Sequence, residues 1–296
     1  MRIVVTGGTG FVGRALVDRL KSEGHRVVVV SRAPEKAAKE LGLDEAYDWD
    51  SLHRCFAEPV EAVVHLAGET VQGRWSEKKA KEVWDSRIAT TTKLARAIEE
   101  AEQQPKVWVS ASGIGFYGEG GERVLQESDG AGDDFFARLC VEWEGVAMGA
   151  QTSDMRVVCA RFGIVLGADG GALSAMLLPA KSGLSGPLGS GKQWWSWVSL
   201  KDAVEALVFC VECDALHGPT NVVSPNPIRQ ADFQKELCRA LHRPAWMPAP
   251  AFAVRLLLGR FADEVLSSKR VEPKALKNAG FAWSQPELWP LLSTIF

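Results

Sequence analysis

The chain has 296 residues, enough for one large or two small domains, and 46% of them are hydrophobic and 24% charged. A net charge of −3, from 34 basic and 37 acidic residues, predicts neither a nucleic-acid nor an anionic-lipid partner. Apolar stretches of about eighteen residues are absent, so we expect no membrane span. The 6 scattered cysteines favour a reducing compartment. This compartment is either the cytoplasm or an organelle, and in the second case a transit peptide has been removed from the chain.

Residues 1–32 predict a strand, a helix and a second strand. The β-branched run 3–5 is too short for a helix and is typical of a buried parallel strand, as is the valine run 27–30. Between them, glycines open a helix that Gly24 ends. This βαβ unit has the glycine spacing of a dinucleotide-binding turn, where the backbone and a helix N-terminus approach a pyrophosphate. The predicted cofactor-binding residues of this turn are Gly7, Thr9, Gly10, Phe11, Val12 and Gly13.

The two residues after the second strand predict which cofactor binds. An NAD site usually carries Asp or Glu there, which accepts hydrogen bonds from the ribose 2′-hydroxyl. This chain has Ser31 and Arg32 instead. An arginine can pair with a 2′-phosphate through two hydrogen bonds and a serine can donate another, so these residues favour NADP(H). The alternative interpretation is a solvated arginine without a ligand.

The next predicted elements surround the middle of the cofactor. We expect a third strand within 46–50 and a fourth within 61–68, which ends at the small residues Ala67 and Gly68. Small residues there let the backbone pass close to the cofactor, although they also simply end strands. A long amphipathic helix follows over about 76–101, and Glu82 and Arg87 flank its apolar face. These two charges either approach the cofactor or face solvent.

A serine and a tyrosine follow the predicted fifth strand, 105–110. Doubly wound proteins keep their chemistry in loops at the carboxyl ends of strands, so Ser112 and Tyr117 are the candidate catalytic residues. A helix over 135–150 and a sixth strand over 155–161 come next, and a glycine-punctuated segment then runs to Gly167.

From about residue 168 the sequence changes character, with glycine-rich turns and three tryptophans in 194–197. These aromatics either wall a substrate pocket or cap a core. We predict a dinucleotide-binding domain over 1–167, completed by about 198–224, and a smaller substrate region over 168–197 and 225–296. Cys210 and Cys213 lie within a predicted helix and are expected to be buried thiols. No metal site is expected, because the histidines do not cluster with one another or with cysteines.

Several motifs resemble those of the extended short-chain dehydrogenase/reductase superfamily. They are the 6–13 turn, His65-Leu-Ala-Gly68, the Ser112 loop with Phe116-Tyr-Gly118, and segment 161–167. Segments 74–77, 186–191 and 259–266 are similar to its epimerase-like branch, which carries a C-terminal domain of unknown function. Members of that branch are labelled nucleoside-diphosphate-sugar epimerases or cell-division inhibitors. The resemblance covers nearly the whole chain.

The resemblance implies an α/β fold, a doubly wound parallel sheet (Rossmann) with a smaller, mainly helical C-terminal region. It also implies NADP(H) as the cofactor, with Leu66 and Val165 among the residues that hold it. Beyond the first turn, the full predicted cofactor-binding set is Ser31, Arg32, Leu66, Ala67, Gly68, Glu69, Glu82, Arg87, Ser112 and Val165.

The chain departs from the superfamily at its catalytic tyrosine and lysine, which stand four residues apart on the helix after the serine loop. Neither Tyr47 nor Tyr117 has a lysine at that spacing, and Phe136 and Cys140 fall near the expected places. Phenylalanine has no proton to donate, and cysteine cannot replace an ammonium. The chain is therefore interpreted as an NADP(H)-dependent oxidoreductase or epimerase with relocated acid and base, for which Tyr117, Ser112 and Glu69 are the candidates. The alternatives are a non-catalytic NADP(H)-binding redox sensor and a scaffold with a structural cofactor. A small-molecule substrate is expected in the first case.

Overall fold

The computed structural model describes residues 1–71 and 73–296 and is built on a seven-stranded parallel sheet. The strand order is β11-β7-β5-β4-β1-β2-β3. This order reverses direction between β1 and β4, which opens a crevice at the carboxyl edge of the sheet. The predicted doubly wound α/β fold is confirmed. The strands of this sheet are β1 Arg2–Thr6, β2 Arg26–Val30, β3 Ala46–Tyr47, β4 Ala62–His65, β5 Val107–Gly113, β7 Arg156–Phe162 and β11 Gly218–Val222.

Helices cover both faces of the sheet because its strands are β-branched runs with few polar side chains. One face packs against α1, α2 and α6, and the other against α3, α4 and a short 3-10 helix, Leu52–Phe56. Burial on both sides explains why the valine runs of β1 and β2 do not alternate with polar residues. The helices are α1 Phe11–Ser22, α2 Pro34–Leu41, α3 Glu77–Glu99, α4 Phe135–Gly149 and α6 Leu200–Glu212.

The rest of the chain forms a smaller, mainly helical region with its own core. Three two-stranded ladders join distant segments: β6 with β13, β8 with β10, and β9 with β12. The strands are β6 Val124–Leu125, β8 Ile164–Gly167, β9 Trp194–Trp195, β10 Trp197–Ser199, β12 Ile228–Arg229 and β13 Arg270–Val271. The helices are α5 Gly171–Lys181, α7 Gln230–Ala240, α8 Ala251–Leu258, α9 Phe261–Leu266, α10 Lys274–Asn278 and α11 Leu288–Ile295, with a 3-10 helix at Ile114–Tyr117. None of the helices in the described residues has the length and apolar character that a membrane span requires.

The tryptophan-rich segment contributes mainly to that second core. Trp195 and Trp197 are buried there against Phe233 and its neighbours. Trp194 is partly exposed, and the guanidinium groups of Arg229 and Arg270 lie 4.0 Å and 4.6 Å from its ring centroid. Two of the three tryptophans therefore cap a core instead of lining an open pocket.

Two element boundaries have identifiable causes. The predicted third strand ends at Tyr47, because the Asp48 carboxylate accepts hydrogen bonds from the backbone of Asp50 and Ser51 and turns the chain. Helix α6 begins at Leu200, because the Ser199 hydroxyl caps it by accepting from the Asp202 amide at 2.9 Å. The predicted domain limits remain a prediction, and the β6–β13 ladder pairs strands from the two predicted domains.

Candidate cofactor and active site

The turn between β1 and α1 is packed so tightly that only glycine fits at two positions. Gly7 has a φ of +70°, and a Cβ there would lie 2.7 Å from the carbonyl carbon of Leu66. A Cβ at Gly13 would lie 2.2 Å from the carbonyl oxygen of Gly7. The first turn thus lies directly against the loop that follows β4, and helix α1 lies directly against the turn.

The N-terminus of α1 faces the crevice without a side-chain cap among the described residues. Gly10 is the N-cap residue, and the first turn of the helix carries no acidic side chain. The first amides of the helix and its dipole are therefore available to an anion. The Phe11 ring is enclosed by the glycine-rich loop after β8, since a Cβ at Gly170 or Gly171 would lie 2.7 Å from it. Val165, on β8, is partly buried beside the same loop.

Ser31 and Arg32 lie at the carboxyl end of β2, on the same side of the sheet edge as the N-terminus of α1. The Ser31 hydroxyl accepts a hydrogen bond from the Ala33 amide at 3.2 Å. Arg32 is exposed and makes no hydrogen bond or ion pair within residues 1–71 and 73–296. A hydrogen bond from Lys79, at 2.7 Å, holds the pKa of Glu69 below its ordinary value, and the positive charge of Arg32 contributes to the same shift.

A buried histidine supports the loop after β4, a role that the sequence patterns did not predict. His65 bonds Thr6 Oγ1 through Nδ1 at 2.6 Å and Thr91 Oγ1 through Nε2 at 3.0 Å. The Thr6 hydroxyl also accepts from the Ala67 amide at 3.3 Å. Burial, assisted by the charge of Arg87, lowers the pKa of His65 to about 3, so the ring is neutral. The signal available in the sequence was a histidine inside a buried strand.

Arg87 and Glu82 lie in different environments on α3. Arg87 donates to the carbonyl oxygens of Glu69 and Val83 at 3.0 Å and 3.1 Å, and its guanidinium carbon lies 3.2 Å from the position of a Cβ at Gly68. Burial lowers the pKa of Arg87. Glu82 is exposed and its carboxylate lies 3.9 Å from Lys78 Nζ. Arg87 therefore contacts the crevice loop, whereas Glu82 contacts a neighbouring surface lysine.

The prediction that Ser112 follows the fifth strand is wrong, because the ladder with β7 continues to Gly113 and Ser112 lies within β5. One face of α4 opposes this strand end and the 3-10 helix that follows it. A Cβ at Gly115 would lie 3.1 Å from Phe136 Cβ, the Cys140 thiol lies 3.6 Å from the carbonyl oxygen of Gly113, and Glu144 accepts from Ser112 Oγ at 2.6 Å. These residues are four positions apart, so they share one helix face. Burial raises the pKa of Cys140 to about 12, and the thiol stays protonated at neutral pH. The helix thus presents a phenyl ring and a neutral thiol where the superfamily pattern has a tyrosine and a lysine.

Both predicted catalytic residues belong to one buried hydrogen-bond network. Arg161 pairs with Glu144 through two hydrogen bonds of 2.8 Å and donates to Tyr117 Oη at 3.0 Å. The Tyr117 hydroxyl in turn donates to Asn221 Oδ1 at 2.8 Å. Tyr117 is only 2% exposed, and burial raises its pKa to about 12. The sequence reasoning missed Glu144 and Arg161, because nothing local indicates that α4 faces β7.

The cysteines and one surface cluster bear on the predictions of buried thiols and of no metal site. All six cysteines are free, and Cys213 alone among them is only partly buried. Glu23, His25 and Glu212 bring ligand-type atoms within 4.8 Å of one another on the surface. Glu212 is far from Glu23 and His25 in sequence, so spacing did not reveal the group. Exposed carboxylates often gather in this way without a metal ion.

Comparison with known proteins places the chain in a family. Residues 3–223 match the model of the NAD dependent epimerase/dehydratase family, and residues 249–295 match a domain of unknown function, DUF1731. The chain belongs to the NAD dependent epimerase/dehydratase family. The resemblance inferred from the motifs is confirmed.

Individual relatives show which members of the family the chain is similar to. Over 300 residues, the chain is 38% identical to the human epimerase family protein SDR39U1, covering 100% of this chain and 99% of the relative. It is 39% identical over 291 residues to the chloroplastic SDR39U1 homolog of Arabidopsis thaliana, covering 95% and 82% of the two chains. The crystal structure of human SDR39U1 isoform 2 with NADPH is similar to this chain with a TM-score of 0.91 and 37% identity, covering 100% and 99%.

Proposed function

We propose that the chain binds NADP(H) in the crevice between the β1–α1 turn, the end of β2 and the loop after β4. The observation that carries this proposal is an uncapped helix N-terminus beside an exposed arginine that has no partner in the described part of the chain. The first accommodates a pyrophosphate and the second a 2′-phosphate. The human relative crystallised with NADPH supports the same cofactor.

The residues present fit this cofactor along its whole length. Gly7, Gly10 and Gly13 leave the space that a pyrophosphate needs, while Ser31 and Arg32 would hold the 2′-phosphate. We assign the predicted residues Leu66 to Glu69, Arg87, Ser112 and Val165 to the part of the cofactor between its ribose and its nicotinamide, whereas the exposed Glu82 contacts Lys78. When bound, the nicotinamide exchanges a hydride with a carbon atom of the substrate. We propose oxidoreductase or epimerase chemistry on a small carbonyl or alcohol, in the cytoplasm or another reducing compartment.

Calorimetric titration with NADPH and NADH tests this proposal. We expect NADPH to bind more tightly, and Gly13→Ala to abolish binding because the new Cβ would overlap the Gly7 carbonyl. Gly145→Ala is the matched control, since a Cβ at this helical glycine meets no atom within 4 Å. A crystal structure of protein purified without added cofactor would show whether NADP(H) co-purifies. Equal affinity for NADPH and NADH would contradict the 2′-phosphate site.

A second candidate function is a redox sensor that binds NADP(H) without turnover. The first observation that favours it is the presence of Phe136 and Cys140 on α4, where the superfamily carries its tyrosine and lysine. The second is an exposed apolar side of α8, formed by Phe252, Leu256 and Leu257. A sensor should bind NADPH and NADP⁺ with different affinities and show no consumption of NADPH with any carbonyl compound tested. Steady NADPH oxidation that depends on an added carbonyl compound would exclude it.

A further inference from the structure

We propose that Glu264, held by Lys269, is the proton donor and acceptor of the active site, in the place left by the missing tyrosine. This proposal rests on the function proposed above, because it assigns a role beside the nicotinamide. Both residues come from the C-terminal region, more than a hundred positions after the serine loop. They are outside the set of site residues that the sequence motifs predicted.

The position of Glu264 brings it to the catalytic face of α4. Gly115 lies in the 3-10 helix after β5, and a Cβ there would be 3.5 Å from Glu264 Oε2 and 3.7 Å from Oε1. The same point lies 3.1 Å from Phe136 Cβ. A carboxylate therefore reaches the space in front of the serine loop, next to the ring that stands where a tyrosine was expected. Because Gly115 has no side chain, nothing from that residue shields the carboxylate.

Lys269 gives this carboxylate a fixed charged partner. Its ammonium lies 3.0 Å from Glu264 Oε2 and also contacts the Ser267 hydroxyl. The Lys269 side chain is 4% exposed, whereas that of Glu264 is 23% exposed. Burying an ammonium is costly unless it is paired. The pair is thus oriented, with the lysine on the protein side and the carboxylate toward the crevice.

The backbone of this segment is anchored on both sides. The Trp195 indole donates to the carbonyl oxygen of Val265 at 3.1 Å, and the Ser196 hydroxyl donates to that of Lys269 at 2.9 Å. On the other side, the ring of Phe261 stacks on Trp75 with centroids 5.6 Å apart. The tryptophan-rich segment and Trp75, which precedes α3, therefore hold α9 in place. Such anchoring is what a group that transfers protons requires.

The proton balance of the proposed step is simple. In oxidation, the carboxylate of Glu264 removes the hydroxyl proton as the hydride leaves the carbon, and the carboxyl passes this proton to water when product leaves. In reduction, the carboxylate first takes a proton from water. The substrate oxygen then takes this proton as the substrate carbon gains the hydride, which restores the ion pair with Lys269. Lys269 is a positioning residue, because it acts through Glu264.

Two titratable groups face Glu264 from neighbouring elements of the described chain. Lys269 follows α9 and forms the ion pair, and the Cys140 thiol approaches from α4. Burial raises the pKa of Cys140 to about 12, so this thiol does not titrate between pH 5 and 8. The thiol therefore stays neutral, and Glu264 is the acidic group that pairs with the ammonium of Lys269.

The test compares the affinities of the wild type and of variants for NADP⁺ and NADPH by fluorescence titration at one pH. The oxidised nicotinamide ring is positively charged, so a nearby carboxylate favours NADP⁺. In Glu264→Gln we expect the ratio of the NADPH to the NADP⁺ dissociation constant to fall about threefold to tenfold below the wild-type ratio, because the variant removes a partly screened negative charge near the ring. The 2′-phosphate is common to both ligands, so its own charge cancels in the ratio.

Glu264→Gln keeps the side-chain volume. Glu264→Asp keeps the charge and should give a ratio between those of Glu264→Gln and the wild type, which guards against misfolding of the first variant. Glu272→Gln is the matched control and should keep the wild-type ratio, since Glu272 forms the same type of pair with Lys277, at 2.9 Å, away from the serine loop. Glu264→Gln with the wild-type ratio would overturn this inference and leave the cofactor site intact. Wild-type protein that binds neither nucleotide would overturn both proposals.

Discussion

The two ends of the proposed cofactor crevice are built in opposite ways. The nucleotide end uses neighbouring residues, the turn 6–13 and the end of β2, whose conformation follows from glycines and a strand–helix–strand pattern. At the other end, Ser112, Glu144, Arg161 and Glu264 come from four distant segments that meet only in the folded chain. A cofactor site can therefore be recognised from a short motif, whereas the groups that would perform chemistry depend on tertiary packing.

The largest effect is expected from the buried ion pair of Glu144 and Arg161, at the end of the crevice away from the nucleotide. Arg161→Met leaves the Glu144 carboxylate buried without the two hydrogen bonds that Arg161 donates, and should lower the free energy of unfolding by about 3–5 kcal/mol. Urea unfolding followed by tryptophan fluorescence measures this loss. The double variant with Glu144→Leu should lose less than Arg161→Met alone, because no unpaired charge remains. A loss below about 1 kcal/mol for Arg161→Met would show that the pair does not organise this end.

At the nucleotide end, His65 predicts a dependence of stability on pH. The folded chain keeps this ring neutral, with its pKa lowered to about 3, while in the unfolded chain it binds a proton below its ordinary value of 6.5. The unfolded state thus binds more protons, and stability falls as pH decreases through the window from 6.5 toward 3. Between pH 6.5 and 4.5 the loss should be about 2–3 kcal/mol. Below that range the carboxylates whose pKa is lowered, such as Glu40, add their own loss.

His65→Gln checks this assignment by urea unfolding across the same pH range. Glutamine can bond Thr6 and Thr91 but does not titrate, so the variant should lose much of the slope between pH 6.5 and 4.5. An unchanged slope would assign the effect to other groups.

The sequence was sufficient for whatever depends on local pattern. Three features could be predicted because each depends on spacing within about thirty residues. They are the β1–α1–β2 unit, the position of Arg32 and the absence of a tyrosine–lysine pair on α4. The partners of Ser112 and Tyr117 were not, because Glu144 and Arg161 resemble any helix or strand charge until α4 packs on β7. Glu264 was missed for the same reason, since its approach to Gly115 depends on where α9 docks. Spacing cannot reveal such contacts between distant segments.

A smaller effect tests the nucleotide end alone. Arg32→Asp should weaken NADPH binding by about 1–3 kcal/mol and leave NADH binding unchanged, because the charge-assisted bonds to the 2′-phosphate are replaced by repulsion. Calorimetry with both nucleotides on the same protein preparation provides the internal control. Equal weakening of both would assign Arg32 to the fold or to the pyrophosphate and would remove the main argument for NADP(H).

The smallest effect concerns Tyr117, which stays a predicted catalytic residue while its hydroxyl bonds Arg161 and Asn221. Tyr117→Phe should cost about 1–2 kcal/mol of unfolding free energy, because the buried Asn221 Oδ1 loses its donor, and it should leave NADPH affinity unchanged. Thermal and urea unfolding measure the first quantity, and calorimetry the second. A variant as stable as the wild type would mean that the hydroxyl is free of this network and available to a substrate. A destabilised variant with normal NADPH affinity would show that the end of the crevice with Ser112 and Tyr117 can be weakened while the nucleotide end still binds NADPH. This result is expected if the two ends are assembled independently.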